Sequence, residues 1–178
     1  MQSYGTFVFS AMQIAILSDV HDNLKALETA LSNIQYHKVS ELIFCGDFCA
    51  PFSARMLAES GLNVHAVFGN NDGDRFQISR VAQAFPNLKL YGEHIGDEGQ
   101  KLELGGQSFG VTHYPFYAKA MVKTGWYDAV FFGHSHQVHR QKYGPSLLLN
   151  PGEIAGQMGP STFAIYDTQF RSSEIINL

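Results

Sequence analysis

Seven side chains able to ligate a hard divalent cation sit at the ends of five apolar runs. Asp19 and His21 follow Ile14-Ala15-Ile16-Leu17, and Asp47 follows Leu42-Ile43-Phe44-Cys45-Gly46. Asn70 follows the run 64–68 and Gly69, His113 follows 109–112, and His134 and His136 follow 129–132 and Gly133. Carboxylate, amide oxygen and imidazole together suit manganese, iron, cobalt, nickel or zinc. No thiolate belongs to the set, which argues against a structural zinc site. Seven ligands exceed what one tetrahedral ion takes and suit two ions that share a carboxylate. Two such ions, ~3.5–4 Å apart, form the clamp used for phosphoester displacement. Taken singly the motifs say less. Asp19-Val20-His21 fits a solvated loop, and Gly69-Asn70-Asn71-Asp72 fits an ordinary turn. Gly133-His134-Ser135-His136, with two imidazoles on a glycine-hinged turn, has fewer structural reasons to exist.

The runs that must position these groups are short, bulky and bounded by Gly, as strands buried on both faces are. Between the first two, Asp22 or Asn23 can cap a helix whose Leu24, Leu27, Leu31 and Ile34 share one face. Pro51 opens a second helix that ends by Gly61, and a third spans 75–85 before Pro86. Three consecutive βα units argue for parallel pairing, and ligands then gather beyond the carboxyl ends of the strands. Further on, short strands are expected at 88–91, 101–104 and 107–112, with Gly105-Gly106 as a two-residue hairpin. A helix is expected at 117–124 and a strand at 129–132. Strands are then expected at 138–143, 146–149, 162–166 and 172–176, separated by turns that include Tyr143-Gly144-Pro145. This order suggests two face-to-face sheets with helices outside.

The 178 residues carry a net charge of −4, so a strong nucleic-acid footprint is not expected. An anionic substrate therefore needs local positive charge, which bound metal would supply. The hydrophobic fraction of 45% against a charged fraction of 16% is that of a soluble domain. Cys45 and Cys49 read as free thiols, and nothing in the sequence requires an oxidising compartment. Residues 1–11 read as an N-terminal extension without a signal-peptide pattern, and residues 12–178 as a single domain. No apolar stretch reaches membrane-spanning length, and a cytoplasmic location is expected. His65 reads as a core histidine and His37 as lying at a helix end. His139 reads as a strand residue, and His94 as part of the loop 92–99, within reach of a substrate. Trp126 reads as packing.

Asp19-x-His21, Gly46-Asp47, Gly69-Asn70-x-Asp72, His113 and Gly133-His134-x-His136 occur in an order that resembles the calcineurin-like metallophosphoesterase superfamily. The chain length and Asn150-Pro151-Gly152 resemble its small prokaryotic YfcE-like phosphodiesterases. The resemblance implies an α/β fold, a four-layer αββα sandwich of two mixed β-sheets flanked by helices, with a binuclear metal centre at one end. It implies that Asp19, His21, Asp47 and His136 hold one ion. Asp47, Asn70, His113 and His134 would hold the other, so that Asp47 bridges. Two divalent metal ions are expected, manganese first, with iron, zinc, nickel and cobalt as alternatives. The implied activity is hydrolysis of a small phosphodiester by a metal-bridging hydroxide, with Asp47, Asn70, Asn71 and His113 taking part in catalysis. A phosphomonoesterase, a dinucleotide polyphosphate hydrolase and a non-catalytic scaffold of the same fold are the alternatives. A homo-oligomer is compatible with the resemblance.

Three positions depart from the family pattern. Asn71 stands where many members have a histidine, and an amide cannot act as a general acid. Phe68 stands where the phosphoprotein phosphatases carry an arginine. Glu153 follows Asn150-Pro151-Gly152 where a serine is usual, and its carboxylate would disfavour highly charged substrates if it pointed inward.

Overall fold

The computed structural model describes residues 11–96 and 101–178. Most of the expected N-terminal extension and part of the 92–99 loop fall outside the described residues.

β1 (Gln13–Leu17), β2 (Glu41–Phe44), β3 (Asn63–Ala66) and β4 (Leu88–Leu90) pair in parallel, in that order. β11 (Thr162–Asp167) lies antiparallel along the other edge of β1, and β12 (Ser172–Asn177) antiparallel along β11. The second sheet runs β5 (His94–Ile95), β7 (Gln107–Thr112), β8 (Ala129–Phe131), β10 (Ser146–Pro151), β9 (Val138–Tyr143). In it β7, β8 and β10 are parallel neighbours, and β6 (Leu102–Leu104) pairs with β7. The helices are α1 (Leu24–Tyr36), α2 (Pro51–Glu59), α3 (Arg75–Ala84) and α4 (Pro115–Lys123).

Strand periodicity divides the side chains among three apolar layers. From β1, Ile14 and Ile16 enter the layer between the sheets, where they meet Val111, Phe131, Leu149 and Tyr166. Ala15 and Leu17 face the other way, into the layer under Leu27, Leu31, Ile34, Leu57 and Ile78 of α1 to α3. On the second sheet Val130 and Leu148 turn out to Ala118 and Val122 of α4. The order is thus helices, sheet, sheet, helix, which is the expected αββα sandwich. It explains why the runs show no polar alternation: both faces of each central strand are covered.

Local signals place the helix starts. Asn23 caps α1 by accepting from the Ala26 N–H at 3.2 Å. Asp22 instead accepts from the Ala50 N–H and the Ser53 hydroxyl at the start of α2, both at 3.1 Å. α4 begins at Pro115, two residues earlier than expected, because proline at the first helical position needs no N–H partner. Gly105 and Gly106 both take positive φ, as a tight hairpin between β6 and β7 requires. His94 is a strand residue: β5 pairs it with Thr112. Among the described residues no helix is long and apolar enough to cross a membrane.

Candidate metal centre

The carboxyl ends of β1, β2, β3, β7, β8 and β10 all open on one side of the sandwich, and their loops are tied together by backbone bonds. The Asp19 N–H donates to the Gly46 carbonyl at 3.0 Å, Gly133 N–H to His113 at 3.1 Å, and Ala155 N–H to Asp19 at 3.0 Å. Two motif glycines exist because these loops touch. A Cβ on Gly69 would strike the Asp47 carboxylate, and one on Gly133 would strike the Ser18 hydroxyl. Asp72 fastens the second and third loops. Its Oδ2 accepts from the N–H groups of Gly69 (2.7 Å) and Asp47 (3.3 Å), and its Oδ1 from that of Cys49 (2.9 Å).

Nine described non-glycine residues have positive φ, and seven of them lie in these loops: Asp19, His21, Asp22, Asp47, Cys49, His134 and His136. Such conformations cost roughly 1–3 kcal/mol each and persist where a site over-determines them. Five of the seven are predicted ligands.

The structure brings together every side chain of the predicted set. The donor atoms of Asp19, His21 and His136 lie within 4.8 Å of one another, as do those of Asp19, Asp47 and His113. Asp47 Oδ2 stands 3.4 Å from His21 Nε2 and 3.4 Å from His113 Nε2. Asn70 Oδ1 lies 2.9 Å from His113 Nε2 and 2.8 Å from His134 Nδ1.

Partners on the far side of three of the rings aim the inward nitrogens. His113 Nδ1–H donates to the Cys45 carbonyl at 2.8 Å, which turns Nε2 inward. His136 Nδ1 lies 2.7 Å from Glu153 Oε2, and its Nε2 faces Asp19 Oδ1 at 3.5 Å. His21 Nδ1 contacts the Cys49 sulfur at 3.4 Å. Its Nε2 is buried and makes no well-directed hydrogen bond, although Asp47 Oδ2 and Asp19 Oδ1 lie 3.4 and 3.8 Å away. A buried nitrogen left in that state costs free energy unless something else satisfies it. A cation does so.

The charges agree. The Asp19 carboxylate, then Asp47 and Glu153, raise the His21 pKa against the opposing effect of burial. Burial would lower that of His113, but Asp47 and Asp19 outweigh it and the net shift is upward. Burial would raise the pKa of Asp47, yet His113 and the two bonds from Asn71 hold it at about 2. A field that draws protons onto imidazoles draws dications by the same force. Burial and the surrounding carboxylates push the Cys49 thiol up to about 12, and Cys45 is buried in the core. Both are free thiols outside the donor set, as the sequence predicts.

Two residues behave differently from the sequence expectation. Asn71 turns onto Asp47, its backbone N–H donating to Oδ1 and its amide Nδ2 to Oδ2, each at 2.8 Å. Glu153 is wholly buried and bonds His136, and the Met158 and Gly159 N–H groups donate to its other oxygen at 2.6 and 2.7 Å. Its charge is directed at His136 rather than outward. His65 is the expected core histidine, lying 3.0 Å from the Tyr91 hydroxyl and 3.3 Å from Glu41.

Residues 12–171 match the Calcineurin-like phosphoesterase superfamily domain. Phosphodiesterase MJ0936 of Methanocaldococcus jannaschii is 31% identical over 161 residues, covering 89% of this chain and 94% of its own. A solved structure described as a novel archaeal phosphodiesterase is 29% identical, with a TM-score of 0.84 over 94% of this chain and all of that one. YfcE, a phosphoesterase from E. coli, shares the fold at 18% identity, with a TM-score of 0.62 over 93% of this chain and 98% of its own.

Proposed function

The chain belongs to the calcineurin-like phosphoesterase superfamily, and on that premise we propose that it is a phosphodiesterase with a binuclear metal centre acting on a small phosphodiester. In this reading Asp19, His21, Asp47 and His136 hold one ion and Asp47, Asn70, His113 and His134 the other. The observation that carries it is the position of Asp47 Oδ2, 3.4 Å from one histidine nitrogen of each set. Residues 12–178 act as one catalytic domain.

Two divalent ions held there would lower the pKa of a bound water toward neutrality and withdraw charge from the phosphoryl oxygen. The chain's own groups supply the rest. Asp47 presents a carboxylate held ionised to both ligand sets, and Asn71 fixes the plane of that carboxylate with two bonds. The Cys45 carbonyl and Glu153 hold Nδ1 of His113 and His136 from behind and so direct the Nε2 of each ring inward. The Cys49 thiol stays protonated and is no nucleophile, so hydrolysis proceeds without a covalent enzyme intermediate on it.

Diesters are favoured over monoesters. The Arg75 guanidinium does stack over Phe68, 4.9 Å from its centroid, but it is engaged by Glu93 and by the Gly69 carbonyl, each at 2.9 Å. The second charge of a monoester therefore lacks a dedicated partner. Metal-stripped protein, reloaded separately with manganese, iron, cobalt, nickel and zinc, is tested on bis-p-nitrophenyl phosphate and p-nitrophenyl phosphate. Restored hydrolysis with the diester preferred is the expected result. No hydrolysis with any metal overturns the reading.

A further inference from the structure

His113 is followed directly by the start of α4, so the first turns of that helix stand beside the histidines. The Tyr114 ring lies 5.2 Å from that of His113 and 5.5 Å from that of His134, centroid to centroid. Tyr117 meets Tyr114 edge-on at 5.9 Å and is 56% exposed. Against these rings lies a cavity of about 390 Å³, bounded on the α4 side by Tyr114, Tyr117, Ala120 and Met121 and opposite by Glu93 and His94. Its volume falls within the range of small-ligand pockets, about 300–1,000 Å³.

The lining selects its occupant. Carbon and aromatic faces dominate, and among the described residues no lysine or arginine lines the cavity to meet a second anionic group. What enters is thus the uncharged part of a phosphoester whose phosphorus sits at the histidines. Aromatic side chains bind flat rings by stacking, and a carboxylate at the rim accepts from N–H donors on such a ring.

We propose that this cavity is the subsite for the organic arm of the substrate, and that the arm is a nucleobase stacked against Tyr114 and Tyr117 with its N–H donors toward Glu93. The assignment rests on the phosphodiesterase reading of the adjoining centre.

Adenosine 5′-monophosphate and ribose 5-phosphate are compared as inhibitors of bis-p-nitrophenyl phosphate hydrolysis by the manganese-loaded protein. Both carry the same phosphate and sugar, and only one has a base. The nucleotide is expected to bind about tenfold more tightly, the scale of stacking one base. Ala120→Trp, which fills the cavity, is expected to bring the two close to equality. Equal inhibition in the wild-type protein overturns the proposal. A second readout does not need turnover. Adenosine is titrated into zinc-loaded protein carrying ¹³C-methyl methionine, with the Met121 signal assigned through Met121→Leu. A moving Met121 methyl without hydrolysis under any metal leaves the cavity assignment standing and removes the phosphodiesterase reading. Hydrolysis with an unmoved Met121 methyl does the reverse.

Discussion

Glu153 Oε2 lies 2.7 Å from His136 Nδ1, and the carboxylate that makes this contact has no solvent exposure. Burial would raise the Glu153 pKa, but the hydrogen bond to His136 and the backbone N–H groups of the 157–159 turn lower it. An anionic partner on Nδ1 fixes the tautomer, turns Nε2 toward Asp19 and makes that nitrogen a better donor. Partners of this kind are typically worth 10–100-fold in metal affinity.

Glu153→Gln is therefore expected to weaken metal binding by about 10-fold or more. A carboxamide can accept from His136 only by turning its NH₂ against the N–H groups of Met158 and Gly159. Competition against a chromophoric chelator measures the effect. An unchanged affinity would show that Glu153 only closes the 153–159 loop.

Asp47→Asn tests the bridging assignment with little risk to the fold. Asn is isosteric with Asp and adopts positive φ readily, and position 47 has φ 66°. The variant gives up one of the two bonds from Asn71 and should melt somewhat below the metal-free wild type. It should lose more than about 100-fold in activity, since even outer partners cost 10–100-fold. Elemental analysis showing two tightly held ions per chain in Asp47→Asn would sink the assignment.

How legible this was depends on which interactions are local. The two-faced burial of β1 was readable because all of Ile14 to Leu17 are apolar, which only a covered strand tolerates. The candidate ligands stand out because each lies at the end of such a run. Glu153 was visible as a departure from the family motif, but its partner was not. The contact requires parallel pairing of β8 with β10, which sets the loops after them side by side. Asn71 likewise reads as a missing acid, whereas its hydrogen bonds to Asp47 arise from packing between the second and third loops. The two-residue β5 has no period to detect and exists through its pairing with β7.

His65 supplies a pH dependence away from the centre. Burial depresses its pKa, the nearby Glu41 opposing and Lys89 adding to the shift. Below about 6.5, the unperturbed value, the unfolded chain takes up a proton that the folded chain does not. Stability is therefore fully present above that pH and is lost as pH falls toward the folded value. Urea unfolding of metal-free protein between pH 7.5 and 5.5 should show a steeper loss in the wild type than in His65→Gln. The difference between the two proteins removes the contribution of the histidines at the candidate centre. Identical slopes would mean that Glu41 offsets burial completely and His65 takes up its proton alike in the folded and unfolded chain.

Asn71 bears on the leaving group. Its amide is spent on Asp47 and carries no titrating proton, so the departing oxygen must leave with most of its own charge. Nitrophenolate can do this near neutral pH, whereas an alkoxide needs a proton. General acid catalysis is worth ~10²–10⁴-fold, and that deficit should fall on poor leaving groups. Across a series of methyl aryl phosphates, the rate should drop steeply as the leaving-group pKa rises. Asn71→His should then help alkyl esters more than aryl ones. It should also lose some activity on nitrophenyl esters, because the bond from Asn71 Nδ2 to Asp47 disappears. A flat dependence, with phosphorus–oxygen cleavage shown to be rate-limiting, would mean that another group delivers the proton. His94, at the edge of the neighbouring cavity, would be the first to replace.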